Sequence, residues 1–186
     1  GVDMLKGGKR RLLVYGAGVA AAVILSLTGG GIVAKPASTV QVAQELQGAR
    51  SADVHVVASL AELQLSGSSQ AQLLASGTLG QHSGEQVVVD YVLRGDHGQF
   101  SAVSQGLRST FMGFRRAVPW DLTLTGRVPI SLSVETGVGD SNLDLRQLQL
   151  EQLVVNAGVG STTLHLPQGA GYAGSIDGGI GTVEVR

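Results

Sequence analysis

The sequence contains no cysteine, and this absence removes several classes of site at once. A chain without thiols forms no disulfide, thiolate zinc site, thiol nucleophile or lipid-modified cysteine. Lysine is also missing after Lys35, so no glycine loop is followed by the lysine of a Walker phosphate site. The four histidines are scattered and form neither a His-x-His pair nor an HExxH motif. We therefore expect no metal and no cofactor.

Aromatic residues and prolines are scarce, whereas glycine is abundant. Aromatics make up 4% of the chain, so the core must be built from Leu, Val, Ile and Ala. There are only four prolines against 28 glycines. This ratio indicates many tight corners rather than proline-rich, disordered linkers.

Positive charge is confined largely to the N-terminal part of the chain. Residues 1–35 hold five Lys or Arg and one Asp, so the remainder carries eight Lys or Arg against 13 Asp or Glu. Nucleic-acid binding needs a basic face, and a mildly acidic domain offers none. We therefore expect no nucleic-acid partner.

The N-terminal segment is typical of a membrane tether. A basic leader, residues 1–11, precedes 23 uncharged and mostly apolar residues at 12–34, long enough to span a bilayer as one helix. The leader should stay in the cytoplasm, which places the rest of the chain outside it. A cleaved signal peptide is the alternative, and both interpretations export the C-terminal part. Residues 35–38 are predicted to be a linker.

The exported part, residues 39–186, contains short runs of alternating apolar and polar residues. Such runs, closed by Gly, Asp or Ser, predict an all-β domain. In the run at 120–126, Trp120, Leu122 and Leu124 should face inward, whereas Asp121, Thr123 and Thr125 should face outward. The runs are 39–47, 52–67, 87–95, 100–103, 120–126 and 128–134.

One segment, residues 104–119, breaks the alternating pattern. It combines Phe111 and Phe114 with the adjacent cations Arg115 and Arg116. It is interpreted either as a loop or short helix that covers one end of the domain, or as a contact for a partner or a membrane surface. These four residues are therefore our candidate partner contact.

The strongest pattern is a repeat at the C-terminal end of the sequence. A Gly-x-Gly motif followed by alternating residues recurs twice at a spacing of 21 residues. A fixed period of this length predicts stacked copies of one β-unit, with the glycine pair at a corner and Leu143 above Leu164 in the core. The predicted corner residues are Gly137, Gly139, Gly158, Gly160, Gly179 and Gly181.

Three other interpretations of the repeat were weighed against a β-solenoid. A leucine-rich repeat fits the leucines near 145–155, but Leu153 occupies its asparagine position. A calcium-binding β-roll requires repeated Asp, whereas Ser161 replaces Asp140 in the next copy. A polysaccharide-active β-helix enzyme would need Asp140, Asp144 and Asp177 gathered as paired carboxylates. Asp is common in turns, and this is the simpler explanation of all three.

The sequence resembles the toast-rack β-domain of LiaF-like cell-wall-active-antibiotic response proteins and of related adhesins. Residues 51–67 resemble the first rung of that family, with Ala58 and Ser59 where glycines are usual. The resemblance implies a single-stranded β-solenoid-like fold with rungs of about 21 residues and carries no catalytic residues. It rests on Trp120 with its alternating strand, Val128–Pro129, the glycine pairs, Leu143–Leu145 and Leu166–Pro167.

From the tether, the repeat and the resemblance we expect a non-enzymatic bacterial envelope protein. It would be a single-pass protein of the cell membrane, with its β-domain outside the cytoplasm. The expected role is a regulatory or sensor scaffold in the envelope stress response, with the membrane and a sensor kinase or another envelope protein as partners. The alternatives are a surface adhesin or assembly module and, less in keeping with the sequence, the β-helix enzyme.

Overall fold

The computed structural model describes residues 25–26, 38–106, 116–169 and 171–186, and every regular element in them is a β-strand. Eleven strands join into one hydrogen-bonded sheet within these ranges. The all-β class predicted from the sequence is thereby confirmed. The strands are Leu25–Ser26 (β1), Ser38–Glu45 (β2), Ser51–Ser68 (β3), Leu73–Gln81 (β4), Gln86–Arg94 (β5), His97–Gln105 (β6), Val118–Thr125 (β7), Pro129–Val138 (β8), Ser141–Asp144 (β9), Gln149–His165 (β10) and Ala173–Val185 (β11).

Seven of these strands stack in parallel as five rungs that share one core. Rung 1 consists of β6 and β7, rung 2 of β3, and rung 3 of β8 and β9. Rung 4 is β10 and rung 5 is β11. The long strands bend at a corner near their middle, so each rung has two arms and each arm pairs with the equivalent arm of its neighbours.

The order of the rungs differs from the sequential solenoid that the repeat predicts. Rung 2 precedes rung 1 in the chain, yet it lies between rung 1 and rung 3. The cause is a reversal after β3, where the Ala71 N–H bonds to the Ser68 carbonyl at 3.3 Å and β4 then runs antiparallel to β7. Only rungs 3, 4 and 5 follow one another at 21 residues, as the pairing of Leu143 with Leu164 and of Leu164 with Val185 shows.

Antiparallel strands flank rung 1. β4 pairs with β7, β2 with β4 and β1 with β2, while β5 pairs with β6. The strand predicted at 39–47 is confirmed as β2, because Val40 and Val42 alternate inward and are buried. This part of the molecule therefore has the up-and-down pairing that short loops permit, unlike the stacked rungs.

The core is formed by columns of aliphatic residues that repeat from rung to rung. Side chains at paired positions of parallel strands lie about 4.8 Å apart, so each column packs against itself along the stack. The predicted neighbours Leu143 and Leu164 are paired and fully buried, which confirms their place in the core. One column contains Leu122, Leu65, Leu143 and Leu164, and another contains Phe100, Val54, Leu132 and Leu153.

The arm β7 follows its predicted alternation with one exception. Trp120 is buried and its indole Nε1–H donates to the Gly80 carbonyl at 2.8 Å. Asp121 is exposed, as predicted. Thr125 is fully buried, so its outward prediction is wrong. The loop after β3 covers this end of β7, and the Thr125 hydroxyl donates to the Ala71 carbonyl at 3.0 Å.

Most of the predicted leader and membrane span falls outside the described residues. Within 12–34 only Leu25–Ser26 are described, and they pair with β2 as β1. Of the predicted linker at 35–38, only Ser38 is described, and it begins β2. Among the described residues, no helix is long and apolar enough to cross a membrane.

Candidate functional site

The glycine pairs lie where the predicted repeat places them, at the corner between the two arms of rungs 3, 4 and 5. Val159 pairs with Val138 on one side and with Ile180 on the other, so the three motifs are in register. The second glycine of each pair has a positive φ, namely 139° at Gly139, 144° at Gly160 and 143° at Gly181. A residue with a side chain is strained in that conformation, which explains the second glycine.

The first glycine of each pair is required by close stacking. A Cβ added at Gly158 would lie 2.0 Å from the Gly137 carbonyl oxygen, and one at Gly179 would lie 2.1 Å from that of Gly158. The second glycines are equally confined, since a Cβ at Gly160 would lie 2.2 Å from the Gly139 oxygen. Every missing Cβ at this corner therefore points at the backbone of the preceding rung.

Rung 2 receives rung 3 without having glycines of its own at this corner. Cβ atoms at Gly137 and Gly139 would lie 2.1 Å from the carbonyl oxygens of Ser59 and Ala61. On its other side, β3 pairs with rung 1 only through residues 51–57 and 61–68. Because no described strand stacks against residues 58–60 there, Ser59 and Ala61 have space for their side chains. This explains the departure from the family pattern noted in the sequence.

The middle residues of the corner motifs form an exposed aliphatic column. The exposed fractions are 50% for Val138, 45% for Val159 and 76% for Ile180. Leu60 continues the column on rung 2, where it pairs with Val138 and is half-buried. We call Leu60, Val138, Val159 and Ile180 the corner column. The sequence motif places these residues between two glycines but does not reveal that they align on the outside.

The three carboxylates considered for catalysis are separated by the stack. Asp140 is exposed and its Oδ1 accepts the Ser161 N–H at 2.9 Å, so it links rung 3 to rung 4. Asp177 is exposed on rung 5, before the corner, and pairs with Asn156. Asp144 lies on the other arm of rung 3. Within the part of the chain that the structure describes, no three His, Asp or Glu residues are grouped to hold a metal ion.

Asp144 forms an ion pair with Arg146 at 2.6 Å. The Arg146 guanidinium, which hydrogen-bonds the carboxylate, lowers the pKa of Asp144 from its ordinary value. The same contact raises the pKa of Arg146. Asp144 therefore stays charged to a lower pH than a free aspartate, which suits a solvated rung position rather than a proton-transferring group.

A polar cluster that sequence reasoning missed joins rung 2 to rung 1. The Ser51 hydroxyl lies 2.9 Å from Nδ1 of His97, and Nε2 of His97 lies 2.9 Å from the Asp53 carboxylate. Ser51 pairs with His97 across β3 and β6. Because 46 residues separate Ser51 from His97, no local sequence motif could have revealed the cluster.

A shallow groove on the outer face begins beside this cluster and crosses rungs 2, 3 and 4. Asp53 and His55 lie at one side, Ser131 and Ser133 in the middle, and Gln152 at the other side. The groove is polar and open because it follows the outward positions of three paired strands. It offers hydroxyl, amide and carboxylate groups to solvent.

The segment predicted as a partner contact is only partly visible. Phe111, Phe114 and Arg115 lie outside the described residues. Arg116 is exposed, two residues before β7 begins. The corner column, not this segment, is the apolar surface that the described residues present.

The stacked parallel rungs and the paired glycines define a β-solenoid-like domain. The chain belongs to the toast-rack family, since the profile described as the N-terminal domain of toast_rack, DUF2154, matches residues 33–186. The fold is similar to the crystal structure of a putative cell adhesion protein from Clostridium sporogenes ATCC 15579, with a TM-score of 0.65, 16% identity, and coverage of 81% of this chain and 99% of that chain. At this identity the likeness concerns the fold alone. No curated protein matches the sequence.

Proposed function

We propose that this protein is a non-enzymatic scaffold of the bacterial envelope, tethered to the cell membrane and active in the envelope stress response. The corner column is the observation that carries this proposal. Its members occupy equivalent positions on rungs 2 to 5, so the column is continuous, with successive side chains about 4.8 Å apart. Exposed aliphatic residues that line up in this way are typical of a protein–protein contact.

The N-terminal segment supports the membrane location. Residues 12–34 are uncharged and follow four closely spaced cations, Lys6, Lys9, Arg10 and Arg11. Cytoplasmic retention of such a cluster directs the following domain outward. A domain held at the outer surface of the membrane can meet a membrane-bound partner without leaving the cell. A sensor kinase or another envelope protein is the partner that we propose.

A surface adhesin is the second candidate, because it would use the same fold. The structural neighbour from Clostridium sporogenes is described as a putative cell adhesion protein, and the groove across rungs 2 to 4 offers polar groups to a surface ligand. An adhesin should bind its ligand as the isolated domain, whereas a regulator should need its tether and its membrane partner. The two candidates therefore make opposite demands on residues 1–38.

The test replaces Val159 and Ile180 together by Asp in the tethered chain and measures an envelope-stress promoter in the native host. We expect the double variant to lose the promoter response, because charge on the corner column prevents an apolar contact. Asn156→Asp is the matched control, since Asn156 is exposed on the same strand outside the column. A full response from the double variant, with normal folding and membrane level, would refute the regulatory proposal.

The adhesin is tested in parallel with residues 39–186 alone. If this fragment binds isolated cell envelopes and the tethered chain has no effect on the promoter, the protein is an adhesin. Binding that requires the outer-face groove would be reduced by Gln152→Ala, and binding through the corner column by Ile180→Asp.

A further inference from the structure

The far edge of β11 is the unpaired end of the stack. β11 pairs with β10 along twelve positions, and no described residue pairs with its other edge. Its inward residues Val183 and Val185 are 37% and 49% exposed, although they continue columns that are buried on rung 4. Ile176 similarly pairs with the fully buried Val155. Rung 5 therefore presents both unpaired backbone groups and an uncovered section of the core.

Stacking at the corner has a direction. At all six corner glycines, the missing Cβ would lie 1.9–2.2 Å from a carbonyl oxygen of the preceding rung. The receiving rung needs no glycine, since Ser59 and Ala61 receive rung 3. The incoming rung, in contrast, must have glycine at both positions. Any parallel strand that docks on β11 meets the carbonyls of Gly179 and Gly181 in the same geometry and is subject to the same requirement.

From this geometry we infer that the free edge of β11 is a docking edge for one further parallel β-rung, and that this edge selects a strand with a Gly-x-Gly motif flanked by inward aliphatic residues. The backbone groups of β11 supply the hydrogen bonds of the new ladder, as in other cases of strand addition. Ile176, Val183 and Val185 would be covered by the aliphatic residues of the incoming strand. The interface continues the one between rungs 4 and 5, which shows what a docked rung looks like.

A second copy of this chain does not meet the requirement. Among the described residues, its complete Gly-x-Gly motifs lie on rungs 3 to 5, where the glycine face already packs against the preceding rung. Antiparallel pairing of two β11 edges also fails. In a two-fold antiparallel ladder, the numbers of opposed residues sum to an even value. The inward Ile176 would then oppose an outward residue of the other arm rather than Val183 or Val185.

The test uses the whole 186-residue chain in detergent and a labelled 17-residue peptide with the sequence of β10, Gln149–His165. The control peptide differs only by Gly158→Ala and Gly160→Ala. We expect the glycine peptide to bind in a fluorescence anisotropy titration and the control to bind at least about tenfold more weakly. Hydrogen exchange should show new protection of β11 amides with the glycine peptide only. Each peptide is also measured without protein, to exclude self-association.

Variants of the protein test the location of the docked strand. Val183→Asp places a charge on the inward side of β11, and we expect it to abolish peptide binding. Thr182→Asp is the matched control, because its neighbour Thr182 is exposed and faces outward, and it should bind the peptide as before. The inference is overturned if neither peptide binds, if both bind equally, or if the protected amides lie away from β11. The peptide comparison on the unaltered chain holds even if a variant fails to fold.

Discussion

Leu143 and Leu164 occupy one buried column, one rung apart. Replacing either by Ala should lower the free energy of unfolding by about 2–5 kcal/mol, because the lost side chain leaves a cavity between rungs that cannot close. Asp144 and His165 are also paired but face the solvent side, so their Ala variants should stay within about 0.5 kcal/mol. Thermal melts of the four single variants test this. If the Asp144 and His165 variants lose as much stability as the leucine variants, the inward phase assigned to these strands is incorrect.

Ser141 lies in the neighbouring column and is a weak point of the core. Its hydroxyl is buried, with no hydrogen-bond partner among the described residues. A buried hydroxyl without a partner costs free energy, so Ser141→Ala should leave the stability unchanged or raise it by up to about 1 kcal/mol. Chemical denaturation of this variant and of Leu143→Ala, two residues along the same arm, makes a direct comparison. A loss above about 1 kcal/mol for Ser141→Ala would reveal a hydrogen bond that this hydroxyl makes in solution.

The ion pair of Asp144 with Arg146 predicts a pH effect of known sign. The lowered pKa of Asp144 means that the pair stabilises the folded state above the unfolded pKa of Asp. This contribution disappears as the pH falls through the lower, folded pKa. A carboxyl-detected NMR titration should place Asp144 below a free aspartate, and Arg146→Gln should move its pKa upward. An unchanged pKa in the Arg146 variant would show that the pair does not persist in solution.

Across the corner element, each glycine is confined by the rung before it. Gly158→Ala would place a methyl group 2.0 Å from the Gly137 carbonyl oxygen. The rungs would have to separate, so we expect a loss of about 3 kcal/mol, at the upper end of the usual range for one substitution. Gly171→Ala is the control, because nothing lies within 4 Å of a Cβ built there. Differential scanning calorimetry should separate the two variants, and equal melting temperatures would contradict the close stacking.

At the scale of the whole molecule, the prediction concerns the tether. We expect residues 12–34 to be retained as an uncleaved anchor, because 23 uncharged residues exceed the apolar core of a usual signal peptide. The expressed protein should sediment with membranes, resist extraction at high salt and keep its original N-terminus in mass spectrometry. Soluble protein in the medium with a new N-terminus near Lys35 would establish the signal-peptide alternative instead.

Local pattern in the sequence was enough to place the strands and the repeating rungs. The 21-residue spacing aligned Leu143 with Leu164, because equivalent positions of consecutive rungs must pair when successive turns of chain have equal length. Alternation likewise assigned Trp120 to the core. The glycine motif located the corner, because positive φ and close stacking both exclude a side chain. These features depend on neighbours in sequence or on a fixed period, and the sequence displays both.

Contacts between distant parts of the chain were decided only by the tertiary structure. No period relates rung 2 to rung 3, so the insertion of β3 between later strands could not be deduced from spacing. The burial of Thr125 depends on Ala71, and the cluster at His97 depends on Ser51 from another rung. The exposure of Ile180 likewise follows from the turn of the whole stack, which brings the corner residues to one outer edge. Alternation fixes which face a residue shares with its neighbours, but long-range packing selects what covers that face.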